Sequence, residues 1–231
     1  MSESVEQRLK RVQTALRAAD PLGKVALLAV SKTFGPEAVL SAARLGQTAF
    51  GENYAQEGCA KVDWFREHHP EVTLQWHFIG PLQANKTRMV AERFDWVQSI
   101  DRVRIAQRLS DQRPSDLLPL NVLVEVNVDG QETKSGVHPD EVRALCEAVA
   151  AMPGLKLRGL MAIPAPVETS EGRKAPLRAM RALFDELKDE FGLDTLSMGM
   201  SADMIEAVEC GTTMVRVGSA IFGTRPYPRR G

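Results

Sequence analysis

One pattern recurs along the whole chain: an apolar or β-branched run, a polar turn, then an amphipathic stretch of helical period. Strand-like runs fall at 25–31, 48–51, 74–79, 95–99, 121–127, 157–162, 195–199 and 214–217. Helix-like stretches at 36–45, 54–67, 84–93, 102–111, 139–151, 175–191 and 203–210 separate or follow them. An opening helix sets Val5, Leu9, Val12 and Leu16 on one face. Such alternation demands parallel strands, because each helix returns the chain to the edge where the next strand starts. Eight strands at a spacing of roughly 25–30 residues predict a single (β/α)8 TIM-type barrel, to which 231 residues is well matched. An open doubly wound α/β sheet is the competing architecture if one or two short runs are not strands.

Nothing divides the chain: no internal sequence repeat, low-complexity tract or linker breaks it, so the expectation is one domain over 1–231. Within it, 1–20 holds the opening helix and 225–231 reads as a mobile tail. His138-Pro139-Asp140-Glu141 reads as a helix entry, and Gly46 and Gly211 stand where helices stop. The proline-bounded stretch from Pro164 to Pro176 follows the sixth strand and has two readings, a mobile loop at the active face or a solvated connector.

Charge and leader signals narrow the function classes. Lys plus Arg total 29 against 30 Asp plus Glu, so no basic field points to nucleic acid. The start MSESVEQRLKRVQ has no apolar signal core and no run reaches bilayer-spanning length, so no membrane role is expected. Cys59, Cys146 and Cys210 are far apart and read as reduced thiols of a cytoplasmic protein. His68-His69 lacks a carboxylate or Cys at ligand spacing, and no metal is expected.

In this fold the chemistry gathers at the carboxyl ends of the strands, and phosphate is often held after strands seven and eight. Lys32 closes the first apolar run, where it is either the first solvated residue or a desolvated amine poised to attack an aldehyde. Ser201 and Asp203 follow the seventh run, the one as a hydroxyl donor and the other as a helix cap. Gly218 and Ser219 follow the eighth, with backbone N–H groups facing an anion. Arg216 points inward if Val215 and Val217 face the helices, and then needs either a salt-bridge partner or a ligand. Asn53 is a ligand contact or a helix cap, and His77, between Trp76 and Phe78, is a buried structural residue or a ligand contact. An amine, a phosphate cradle and an inward guanidinium together suggest pyridoxal 5'-phosphate (PLP) held as a Schiff base.

The segments AVSKTF (29–34), FGENYAQE (50–57), WHFIGPLQANK (76–86), KSGV (134–137), GLMAI (159–163) and LSMGMSADMIEAVECGTTMVRVGSAIFG (196–223) extend this reading. In that order, over residues 5–225, the chain resembles the pyridoxal phosphate homeostasis protein family of the YggS/PROSC type. The resemblance implies a barrel like that of alanine racemase, PLP on Lys32, phosphate contacts at Ser201, Gly218 and Ser219, and Arg216 facing the pyridine nitrogen. With Asn53 and His77 these form the expected cofactor-binding set.

A guanidinium keeps its proton, so a ring nitrogen facing it stays neutral and withdraws electrons poorly. Racemases with this feature add a tyrosine base from a partner's second domain. Here the tyrosines are Tyr54 and Tyr227. The expectation is a monomeric carrier or buffer of PLP rather than an enzyme, with apo PLP-dependent enzymes as candidate partners. A PLP-dependent amino-acid racemase is the alternative.

Overall fold

The computed structural model describes residues 3–131 and 133–224. The expected tail at 225–231, with Tyr227, lies outside the described residues. Strands β1 (Ala26–Val30), β2 (Ala49–Glu52), β3 (Gln75–Phe78), β4 (Trp96–Ile100), β5 (Leu120–Val126), β6 (Leu155–Ala162), β7 (Thr195–Ser197) and β8 (Met214–Val217) pair in sequence order. All pairs are parallel, and β1 also pairs with β8, so the sheet closes into the expected barrel rather than an open doubly wound sheet.

Helices α1 (Val5–Ala19), α2 (Pro36–Ala43), α3 (Ala55–His68), α4 (Thr87–Ala91), α5 (Val103–Gln112), α6 (Val142–Ala150), α7 (Ser170–Phe191), α8 (Met204–Glu209) and α9 (Ser219–Phe222) surround it. The helix after β8 is a single turn. Its place in the outer ring is taken by α1, which packs against α9, α2 and α8 through a face with Leu9, Val12 and Leu16 buried. Ser4 and Gln7 fix the start of α1 as a reciprocal capping box.

Three helix starts depart from expectation. The helices read at 84–93 and 139–151 each begin as a 3-10 turn, Ala84–Lys86 and Pro139–Glu141. Helix α7 starts at Ser170 rather than 175 and carries Pro176 inside it. The Thr169 hydroxyl accepts the N–H of Gly172, and Arg173 donates to the Val167 and Glu168 carbonyls and pairs with Glu206. These anchors hold the first turns although proline removes one helical bond. The Pro164 to Pro176 stretch is therefore half helix.

Alternation along the strands sorts side chains into two compartments. Val215 and Val217 join the main apolar cluster between sheet and helices, whereas Met214 packs in the lumen with Leu28, Val30 and Ile79. Trp96, Leu123 and Met161 form a second, separate cluster. At Gly159 (φ 156°) a Cβ would lie 1.7 Å from the Thr195 carbonyl oxygen, so only glycine fits between β6 and β7. Cys59, Cys146 and Cys210 are buried free thiols, and burial pushes Cys59 up to about 11 and Cys146 to about 12. Among the described residues no helix is long and apolar enough to cross a membrane, and no cluster of three metal-ligating side chains occurs.

Candidate cofactor site at the carboxyl end of the barrel

Strand order makes the exits of β7, β8, β1 and β2 neighbours on one rim. Lys32 stands there, half-buried, two residues beyond β1. Gly218 opens the next loop and lies so close that a Cβ would fall 3.2 Å from the Val30 carbonyl oxygen. Ser219 follows, exposed, at the start of α9. The rings of Phe34 and Phe222, 5.3 Å apart, join the loop of Lys32 to that helix. On the far side of β8, the Arg216 N–H donates to the Gly199 carbonyl at 2.9 Å and ties in the exit of β7. Ser201 is exposed in the turn that follows. Lys32, Ser201, Arg216, Gly218 and Ser219 thus share adjoining strands, as the sequence suggested. Asp203 occupies the N-cap position of α8, as expected, but its side chain makes no capping bond there; its carboxylate accepts the Met200 N–H at 2.6 Å and braces the turn carrying Ser201.

Both neighbours of Lys32 are anchored from beneath. Lys61, 5% exposed, donates to Glu52 Oε1 (2.8 Å), Glu57 Oε1 (2.7 Å) and the Ser31 carbonyl (2.8 Å). The Ser31 hydroxyl donates to Glu52 at 2.5 Å, and the Thr33 N–H donates to Glu57 at 2.6 Å. Thr33 has φ 69°, a left-handed conformation unusual for a β-branched residue, which this anchoring supports. Burial raises the Glu52 carboxyl above its ordinary range, against the attraction and hydrogen bond of Lys61.

Arg216 is 4% exposed in the lumen and is held by neutral groups: Nη1 donates to Ser197 Oγ at 2.7 Å and Nη2 to the Ala162 carbonyl at 2.8 Å. Burial lowers its pKa to about 10, opposed by the through-space attraction of Glu125 and Asp203. Of its two sequence readings, the salt bridge is not the one built. Glu125 lies across the mouth with its carboxyl pushed up to about 7, first by burial and then by Asp101, with Arg216 opposing. It lines a cavity of about 170 Å³ together with Asn53, Ile79, Pro81, Lys134 and Ile163. Lys134 is paired there with Asp129 at 2.9 Å.

Asn53 borders that cavity, and Tyr54 rather than Asn53 occupies the N-cap position of α3. The buried Oδ1 of Asn53 has no hydrogen-bond partner among the described residues, which removes the capping alternative. His77 is fully buried below the mouth, with Nδ1 against Gln98 Nε2 and Nε2 against Gln75 Oε1, both at 2.9 Å. Both ring nitrogens are committed to protein groups, so of the two readings of His77 this placement is that of the buried structural residue, and it offers no direct ligand contact.

Sequence reasoning missed Glu52, Lys61, Gln98, Glu125 and Ser197. Three of these carried a signal. Strands of a barrel read as continuous apolar runs, so Gln98 in WVQSI, Glu125 in LNVLVEV and Ser197 in TLS are polar residues where burial is expected. Lys61 carried none, because a lysine on an outer barrel helix normally faces water.

The rim therefore offers a lysine between two anchored neighbours, a cradle without side-chain bulk, and a buried donor guanidinium. Comparisons with known proteins bear on what such a rim serves. The family model for the N-terminal domain of alanine racemase matches residues 2–226. The pyridoxal phosphate homeostasis protein of Vibrio alginolyticus is 52% identical over 230 residues, 97% of this chain and 99% of that protein. The solved structure of PipY from Synechococcus elongatus PCC7942 with PLP bound is 32% identical, with a TM-score of 0.81 over 94% of this chain and 100% of that one. Alanine racemase from Corynebacterium glutamicum, 19% identical, shares the fold at a TM-score of 0.70 over 96% of this chain and 63% of its own. The chain belongs to the pyridoxal phosphate homeostasis protein family, built on the barrel of the alanine racemase N-terminal domain.

Proposed function

We propose that this protein binds PLP through Lys32 and acts in PLP homeostasis, holding the vitamer and limiting its free aldehyde, with effects on amino-acid and keto-acid balance. When bound, PLP supplies an aldehyde carbon open to a lysine amine and a pyridine ring that can draw electrons from an attached amino acid. The residues fit such a group. Gly218 leaves room for backbone approach, and Ser201 and Ser219 bring hydroxyls to the same rim. The orphaned Asn53 Oδ1 offers an acceptor at the cavity. In this reading Ser201, Gly218 and Ser219 hold the phosphate, Asn53 contacts the ligand from β2, and Arg216 donates to the ring nitrogen.

The observation that carries the reading is Arg216, a buried cation whose guanidinium is bonded to a hydroxyl and a carbonyl rather than to a carboxylate. Such a group needs an acceptor, and a pyridine nitrogen is one. At about 10, its pKa keeps it protonated at neutral pH, so it donates a hydrogen bond without surrendering a proton. A neutral ring is a weak electron sink, which favours holding the cofactor over turning over amino acids. The carrier is a cytoplasmic monomer of one domain, which passes PLP to apo PLP-dependent enzymes.

Saturating apo-protein with PLP and following its visible absorbance tests binding: wild type takes up the cofactor and Lys32→Ala does not. Incubating the loaded protein with L-amino acids in deuterated water tests the role. Little deuterium at Cα supports a carrier, and rapid exchange that depends on Lys32 favours the racemase.

A further inference from the structure

Four buried lumen side chains and the exposed Gln75, from four strands, form one hydrogen-bonded string that ends on Arg216. Arg216 has only donors, so its Nη1 must donate to Ser197 Oγ, at 2.7 Å. The Ser197 hydroxyl donates in turn to Gln98 Oε1, also at 2.7 Å. That orients the Gln98 amide, turning its NH2 toward His77 Nδ1 (2.9 Å) and the Met214 sulfur (3.2 Å). An NH2 group cannot accept, so Nδ1 is the bare nitrogen and Nε2–H donates to Gln75 Oε1 at 2.9 Å. Burial holds the ring neutral by lowering its pKa to about 3, so this tautomer persists at working pH. The ring stacks on Trp96 at 5.0 Å, and the Arg158 guanidinium sits 4.7 Å from the centre of the Trp96 ring.

Every bond in the string runs away from Arg216. Reversing one link would set donor against donor or acceptor against acceptor in a buried place, at a cost of about 1–3 kcal/mol. Barrel lumens are usually filled with branched apolar residues, which pack without partners. A polar string that ends on the guanidinium restricts its rotation in a way an apolar filling cannot. We infer that Ser197, Gln98 and His77 are positioning residues that fix the Arg216 guanidinium for its contact with the cofactor ring, an inference that rests on PLP being held at this rim. This gives His77 a role through Arg216 in place of a direct contact.

The test uses holoprotein loaded with PLP carrying 15N in the ring, comparing Ser197→Ala, Gln98→Met and Ser197→Thr with wild type. The readouts are the 15N shift, the PLP dissociation constant, urea stability of the apo-protein, and mass mapping of borohydride-fixed cofactor. Ser197→Ala and Gln98→Met are expected to move the 15N resonance and weaken PLP by about tenfold while PLP is still fixed to Lys32. Ser197→Thr keeps the hydroxyl and is expected to restore both readouts. An unchanged 15N shift and affinity in folded Ser197→Ala or Gln98→Met overturns the inference, even where urea stability falls. Wild type that fixes no PLP on Lys32 instead overturns the reading beneath it.

Discussion

Lys61 and Arg216 are both cations buried near the barrel mouth, yet their surroundings are opposite. Lys61 meets two carboxylates and a carbonyl, so its charge is answered inside the fold. Arg216 meets a hydroxyl and a carbonyl, and its nearest carboxylates act only through space. The first arrangement spends its hydrogen bonds on anchoring the chain around Lys32. The second leaves a charge still seeking an acceptor. Burial alone therefore does not mark a ligand-binding cation; the chemistry of its partners does.

The largest expected effect breaks the paired cation. Lys61→Met leaves Glu52 buried without its counter-charge and is expected to lower apo-protein stability by about 3–5 kcal/mol in urea unfolding. Adding Glu52→Gln should recover much of that loss. Arg216→Met removes a charge that is hydrogen-bonded to no carboxylate among the described residues, so the same measurement should fall by no more than about 1–2 kcal/mol. Equal losses in the two variants would erase the distinction.

Next in size is a pH effect from the carboxyl facing Arg216. The Glu125 pKa is about 7 in the folded protein against an ordinary 4.5, so the folded state holds that proton more tightly than the unfolded chain. The stability this contributes is complete below pH 4.5 and is lost as pH rises through 7. At 1.36 kcal/mol per unit the loss is about 3 kcal/mol. The difference between wild type and Glu125→Gln, from apo-protein urea unfolding at each pH, should show that fall and then level off. A flat difference would place the Glu125 titration elsewhere.

Arg216 should matter more to the cofactor than to the fold. Arg216→Met is expected to weaken PLP binding by about ten- to a hundredfold in absorbance titrations, the worth of a charge-assisted hydrogen bond. As a ruler away from the mouth, Thr169→Ala removes the cap of α7 and should cost about 1 kcal/mol with PLP affinity unchanged.

The barrel was legible because alternation of strand and helix admits few other topologies. Arg216 was legible as inward-facing because the valines on either side of it claim the helix-facing side. What stayed hidden depends on pairing across space. Whether Gln98 meets His77 or Ser197 follows from how strands stagger around the closed sheet, which no single strand states. Lys61 looked like surface because its partners come from β2 and from its own first turn. The start of α7 was misplaced because Pro176 reads as a boundary, while the real boundary is the hydroxyl of Thr169.

The most direct measurement is mass mapping of PLP fixed by borohydride on the saturated wild-type protein. The account predicts one equivalent on the peptide carrying Lys32, with Lys61 unmodified behind its carboxylates. Cofactor fixed on other lysines with Lys32 unmodified, or no cofactor taken up at all, would contradict it.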